Sequence, residues 1–299
     1  MIEANGLTKY FDDIAALKGM TTRIPAGSIY GLVGSNGAGK STFLRLLAGV
    51  YRPDEGAIAV DGAETYENPA VKDRIFFLAD ELYFFQNATM DQMARFYSGL
   101  YGSWSQERYR QMCVTFPIHA ERKINTFSKG MQRQAAIILA LSAQPDILLL
   151  DEAFDGLDPV IRGLVRKILA EDVAQRGATV IIASHNLREL EDLCDQVGVL
   201  HGGRILFQRD IDDLKLGFFK VQCAFRPAKE REDFAGLDLL QFESRGSLIN
   251  LIARGAREEI LGKIEAMGPL FVETVPLTLE EVFIHEMEAV GYDYSNILF

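Results

Sequence analysis

The stretch Gly34-Ser35-Asn36-Gly37-Ala38-Gly39-Lys40-Ser41 fits Gly-x-x-x-x-Gly-Lys-Ser/Thr, the pattern of a loop that cradles phosphate. Glycine reaches backbone angles closed to other residues, so such a loop can wrap an anion closely. Its amide N–H groups then point inward at phosphate oxygens. Lys40 supplies a cation for β- and γ-phosphates, and the Ser41 hydroxyl can ligate Mg²⁺. The flanks agree. Ile29-Tyr30-Gly31-Leu32-Val33 reads as a short buried strand, and Ser41-Thr42-Phe43-Leu44-Arg45-Leu46-Leu47 carries apolar residues at helical spacing. The loop would open a helix whose positive N-terminal end faces the phosphates.

A second strand points to the same edge. Ile147-Leu148-Leu149-Leu150 is followed by Asp151-Glu152. A buried parallel strand delivers such carboxylates to the carboxyl edge of the sheet, where ligands bind in open α/β sheets. Asp151 is placed to hold a Mg²⁺ shell, and Glu152 to orient or deprotonate a water. A third apolar run, Thr179 to Ala183, ends in Ser184-His185, which puts His185 among the same motifs.

Composition bounds the class. The chain has 299 residues, 48% hydrophobic and 24% charged, which is ordinary for a globular protein and suits one large domain plus one small. A formal net charge of −11 argues against nucleic acid, which wants a basic face. Three cysteines, Cys113, Cys194 and Cys223, without a CxxC pair fit neither a disulfide framework nor a zinc site; buried packing is expected of them. Met1 to Gly6 shows no basic segment followed by an apolar run. The longest apolar run, Ala135 to Leu141, is too short to span a bilayer. A cytoplasmic chain is expected, associated with a membrane only through a partner.

The remaining segments order themselves around these motifs. Residues 1–28 read as strands and turns, with Tyr10 and Phe11 as candidates to lie over a bound base. Ile75 to Leu78 reads as a buried strand leading into Ala79-Asp80-Glu81. From about 88 to 143 the period is helical, an insertion between sheet strands. Ala153 to Pro159 reads as a turn, with Pro159 at the first position of a helix over 160–176. His201-Gly202-Gly203 reads as a hairpin turn.

Taken together these residues resemble the ATP-binding cassette family, the nucleotide-binding subunits of ABC transporters, over about 1–215. Gly34 to Ser41 resembles its Walker A motif, and Leu148 to Asp151 its Walker B, with Glu152 as catalytic glutamate. Phe127-Ser128-Lys129-Gly130-Met131-Gln132 stands where the family has Leu-Ser-Gly-Gly-Gln. Asp155-Gly156-Leu157-Asp158 resembles the D-loop and His185 the switch histidine. Phe11 falls at the adenine-stacking position, and Asp80 at the glutamine of the Q-loop.

The resemblance implies a P-loop NTPase core, α/β with a mostly parallel sheet and a helical subdomain at about 80–143. ATP and Mg²⁺ would be its ligands. Glu152, His185 and Lys40 would be catalytic. Nucleotide would be held by Phe11, Gly34, Ser35, Asn36, Gly37, Ala38, Gly39, Lys40, Ser41, Thr42, Asp80, Ser128, Gly130 and Asp158. Metal would be held by Ser41, Asp151 and Asp80. It also implies a head-to-tail pair, as homo- or heterodimer, with each ATP between one Walker A and the other subunit's signature. Variants such as Asp80, Lys129 and Met131 look like those of bacterial exporters, whose multi-span membrane subunit is a separate chain. The chain would then sit on the inner face of the cell membrane through that subunit. The rival class is an ABC ATPase acting on ribosomes or DNA, against which stand the single Walker A and the acidic charge.

Residues 216–299 look like the small α+β appendage of many exporter cassettes. Strands are expected at Lys220 to Phe225, Ser247 to Ile252 and Leu270 to Val275, and a helix at Ala256 to Met267. A last helix opens on Thr278 and Glu281, spaced as a capping box, with Leu279, Val282, Phe283 and Met287 as its apolar face.

Overall fold

The computed structural model describes residues 1–215 and 218–289, with residues 215 and 285–289 described without their side chains. The chain divides into two compact units, one running from Met1 to Arg209 and one beginning at Asp210.

The first unit opens with β1 (Ile2–Phe11) and β2 (Ile14–Ile24), an antiparallel pair with Ile2 opposite Ile24. Next come β3 (Ile29–Val33), α1 (Lys40–Leu47), β4 (Glu55–Val60) and β5 (Ala63–Glu64). β4 returns antiparallel to β1, giving a sheet in the order β2-β1-β4-β5. The chain continues through α2 (Pro69–Lys72) and β6 (Ile75–Leu78) into the helical insertion: α3 (Met90–Leu100), α4 (Gln106–Thr115) and α5 (Lys129–Ser142). It then forms β7 (Ile147–Asp151), α6 (Pro159–Arg176), β8 (Thr179–Ser184), α7 (Leu187–Leu190), β9 (Gln196–His201) and β10 (Arg204–Asp210). The second sheet runs β10-β9-β3-β8-β7-β6, parallel from β9 through β6.

Every residue of β3, β7 and β8 is buried, which is why these strands read as unbroken apolar runs rather than alternating ones. α1 lies in the core between the sheets. Phe43, Leu44, Leu46 and Leu47 share one apolar cluster with Leu7 and Met20 of the first sheet and Leu32, Leu149 and Ile181 of the second. Each such side chain contributes roughly 2 kcal/mol by leaving water, so the helix after the phosphate loop is held on both sides. Register does the rest. Val33 pairs with Ser184, and Asp151 with Ala183, so three neighbouring strands end side by side at one edge.

In the insertion, Thr89 and Gln92 close a capping box on α3, and Ser105 and Ser128 cap α4 and α5. Residues Ala135 to Ser142 of α5 are all buried, which accounts for the longest apolar run without a bilayer. No helix of the described residues is long and apolar enough to cross a membrane. Cys194 and Cys223 are buried as expected, while Cys113 is only half-buried; all three are free.

The second unit contains α8 (Ile211–Lys215), β11 (Phe218–Ala224), β12 (Asp238–Arg245), β13 (Leu248–Arg254), α9 (Arg257–Glu265), β14 (Phe271–Val275) and α10 (Leu279–Ala289). Its sheet runs β12-β13-β11-β14, all antiparallel. One face packs Val221, Cys223, Ile249 and Leu251 against Ile260 and Ile264 of α9. The division falls before α8 rather than at 215/216, because α8 packs against α10. β12 was not foreseen. It has no fully buried residue and its register shifts between Leu239 and Gln241, so its sequence shows no clean alternation. Thr278 and Glu281 form the expected box, with the Thr278 amide donating to Glu281 Oε2 at 3.0 Å and the Glu281 amide to Thr278 Oγ1 at 3.3 Å. Leu279, Val282 and Phe283 are buried; the Met287 side chain lies outside the described residues.

Candidate nucleotide site

The loop between β3 and α1 is held by its surroundings. Gly39 has φ 111° and precedes α1 with no side-chain cap; a Cβ there would lie 2.6 Å from the Ala16 carbonyl. The first amides of α1 are thus left for a ligand. Ala38 N–H donates to Ser35 carbonyl at 3.1 Å, closing the turn. Lys40 is only 5% exposed. Its Nζ donates to the Gly34 carbonyl at 2.7 Å and pairs with Glu152 Oε1 at 3.2 Å.

Glu152 follows directly on β7 with φ 46°, a left-handed conformation unusual for glutamate and the kind of strain that collects at functional sites. Its N–H donates to Ala183 carbonyl at 2.9 Å, which ties that conformation to β8. Its Oε2 accepts from the His185 amide at 3.3 Å and lies 3.0 Å from His185 Nδ1. Lys40, Glu152 and His185, predicted from three separate motifs, therefore form one continuous line.

Asp151 is fully buried, and neither carboxylate oxygen meets a protein donor in hydrogen-bond geometry. Burial pushes its carboxyl above the ordinary value; the Ser41 hydroxyl and Arg45 pull it back, while Glu152 and Asp80 add to the rise. A buried, unpartnered carboxylate is costly in an apolar interior, and a hard cation with oxygen ligands is the group that would complete it. The residues present thus fit Mg²⁺.

The other expected residues fall in different places. Phe11 is 40% exposed at the end of β1, makes an edge contact with Tyr51 at 5.3 Å and has Lys9 Nζ over its ring, 5.8 Å from the centroid. Asp158 caps α6, accepting from Val160 and Ile161 N–H at 3.0 Å each, so its carboxylate is engaged within its own helix. Ser128 caps α5 through the Met131 amide at 3.3 Å. Gly130 has to be glycine, since a Cβ would lie 2.8 Å from the Gly156 carbonyl. The hydrogen bonds of Ser128 do not reach the phosphate loop of the same chain. Asp80 is turned to α5: Arg133 donates to its carboxylate and to its carbonyl, both at 3.0 Å. The guanidinium offers paired donors, whereas Asp151 and Glu152 repel a third carboxylate.

Asp155 was not singled out as a site residue. The structure brings it to Glu152 and His185, with ligand atoms of all three within 4.8 Å of one another. Its place three residues after Glu152, in the turn that also holds Asp158, is the available sequence signal.

The ABC transporter family profile matches residues 17–155. The ABC transporter ATP-binding protein YtrB of Bacillus subtilis is 30% identical over 288 residues, covering 95% of this chain and 97% of that one. The bacitracin transport ATP-binding protein BcrA of Enterococcus faecalis is 29% identical, covering 72% and 70%. A solved ATP-binding subunit of an ABC transporter superposes with a TM-score of 0.67 at 26% identity, over 72% of this chain and 92% of that one. The chain belongs to the ABC transporter family, as an ATP-binding, ATP-hydrolysing subunit.

Proposed function

We propose that this ATPase drives an exporter, working as a closed pair of cassettes against a separate multi-span membrane subunit on the inner face of the cell membrane. The observation that carries the reading is the line from buried Lys40 and Glu152 to His185, beside an unpartnered Asp151 carboxylate. On nucleotide binding, Lys40 would exchange the Gly34 carbonyl and Glu152 for phosphate oxygens. The loop amides and the open start of α1 hold the rest of the phosphate chain. Ser41 and Asp151 would hold Mg²⁺, which when bound neutralises charge on the phosphates. Glu152 then accepts a proton from the attacking water, its carboxylate held in orientation by the His185 amide and ring Nδ1 at Oε2. Phe11 offers a face to the base.

Pairing follows from what one chain leaves unused. Ser128 and Gly130 at the start of α5 would meet the nucleotide of a second cassette, identical or related. The membrane subunit would dock in the cleft between core and insertion, lined by Phe77, Leu78, Glu81, Tyr83 and Tyr97. Export is favoured by the signature and Asp80 variants, and BcrA's name speaks of bacitracin transport. The ribosome or DNA alternative draws no support from these relatives. Lys40→Ala tests the nucleotide site: ATP turnover should fall to about a tenth or less of wild type, since a lost charge donor costs about a hundredfold or more. Activity above that level would overturn the assignment.

A further inference from the structure

The turn that carries His185 is tied down by a carboxylate outside the catalytic line. Glu189 lies in α7 and is only 2% exposed. A buried carboxylate is costly unless both oxygens are engaged, and here they are. Oε2 accepts from Ser184 Oγ at 2.9 Å, and Oε1 faces an Arg162 guanidinium nitrogen at 3.4 Å. The Ser184 hydroxyl, itself fully buried, accepts in turn from the Asn186 amide at 3.0 Å. One hydroxyl thus clamps the residues on both sides of His185. Arg162 stands in the first turn of α6, directly after the Asp155 to Asp158 loop. One turn on, Arg166 donates to the carbonyls of Glu189 at 2.7 Å and Arg188 at 3.0 Å, fastening α7 to α6 by the backbone as well.

Packing alone does not ask for an acid here; an apolar side chain would fill the space without the desolvation cost. The bond to Ser184 is what an apolar residue could not make. Its consequence appears at Glu152, which receives both the His185 amide and its ring nitrogen. Those two contacts require the backbone of residues 184–186 to stay where it is.

We propose that Glu189 is a positioning residue for ATP hydrolysis, the middle of an Arg162–Glu189–Ser184 relay that sets the His185 turn against Glu152 and links it to the helix after the Asp155 loop. This rests on the roles given above to Glu152 and His185. Loss of the relay leaves the phosphate loop untouched, so chemistry should suffer and binding should not.

The test uses the full chain with Ser184→Ala, Glu189→Ala, Glu189→Gln and the double Ser184→Ala/Glu189→Ala. Steady-state kcat and KM for MgATP are read beside the affinity for a fluorescent ATP analogue and the Tm. Ser184→Ala and Glu189→Ala should each lower kcat roughly ten- to hundredfold, the scale of a small misplacement in a catalytic group. Affinity should stay within about twofold, and the double should be no worse than the poorer single, because both act through one bond. Glu189→Gln keeps an acceptor for Ser184 and should recover most of the rate. Losses that multiply in the double, or a folded Glu189→Ala with a kcat within about twofold of wild type, would overturn the proposal. If Glu189→Ala fails to fold, Ser184→Ala decides: a kcat loss at unchanged affinity supports the relay, and wild-type kcat refutes it. Glu152→Gln measured alongside separates the two levels. If it hydrolyses ATP normally, the assignment of Glu152 fails; if it is slow while Ser184→Ala is normal, only the relay fails.

Discussion

Single residues carry the chemistry here because strand ends place them. Lys40 was legible from the phosphate-loop pattern, and Asp151, Glu152 and His185 because each comes at the end of an apolar run that reads as a buried strand, whose ends a parallel sheet brings to one edge. Glu189 and Asp155 were not. A glutamate in a short helix and an aspartate in a turn are ordinary surface residues by pattern, and only the three-dimensional neighbourhood of Ser184 and Glu152 gives them meaning. Tyr30 sits in β3, whose apolar run reads as a buried strand, but that run does not show what burial does to its phenol. It is fully buried, its hydroxyl 3.4 Å from Thr22 Oγ1, and burial pushes its phenol up to about 12. Because the folded value lies above that of the unfolded chain, its stabilising effect is whole below about pH 10 and is lost as pH rises through about 12. Tyr30→Phe should therefore remove part of the alkaline loss of stability, up to roughly 3 kcal/mol, read as Tm against pH from 9 to 12. Parallel curves for variant and wild type would show that this phenol does not titrate during alkaline unfolding.

Among the elements, α1 and α5 do different work. α1 is locked between two sheets and keeps the phosphate loop rigid. α5 carries Ser128 and Gly130 at its start and Arg133 one turn in, where Arg133 grips Asp80 after β6. The loop position that resembles a glutamine in the family is thus an acid tied to the signature helix. That pairing was invisible in the sequence, because an arginine 53 residues downstream of an aspartate specifies no contact. Asp80 is more than half exposed, so the pair should couple by no more than about 1 kcal/mol. A double-mutant cycle of Asp80→Gln and Arg133→Gln, read from urea midpoints, should return a coupling of that size and sign. Strict additivity would mean the ion pair is not populated in solution. Most strands and helices were legible from their periodicity. β12 was not, because a strand with no fully buried residue has no alternating signal to give.

For the molecule as a whole, the candidate nucleotide site of one cassette lies within the first unit. The phosphate loop, Asp151, Glu152 and His185 are assembled within the first unit, while the Ser128 hydroxyl accepts from the Met131 amide of its own helix. The fold class and the order of motifs were plain from sequence, but a need for a second copy rests on resemblance. The measurement that tests both hydrolysis and pairing is made on Glu152→Gln, which keeps the side chain's size and its contacts with His185 but removes the base. ATP turnover and oligomeric state by size-exclusion chromatography are read on the same sample with saturating MgATP. The expected result is ATP bound normally, hydrolysis slowed about a hundredfold or more, and accumulation of a dimer that wild type forms only transiently. A variant that hydrolyses ATP at the wild-type rate, or that stays monomeric with ATP bound while wild type dimerises, would contradict it.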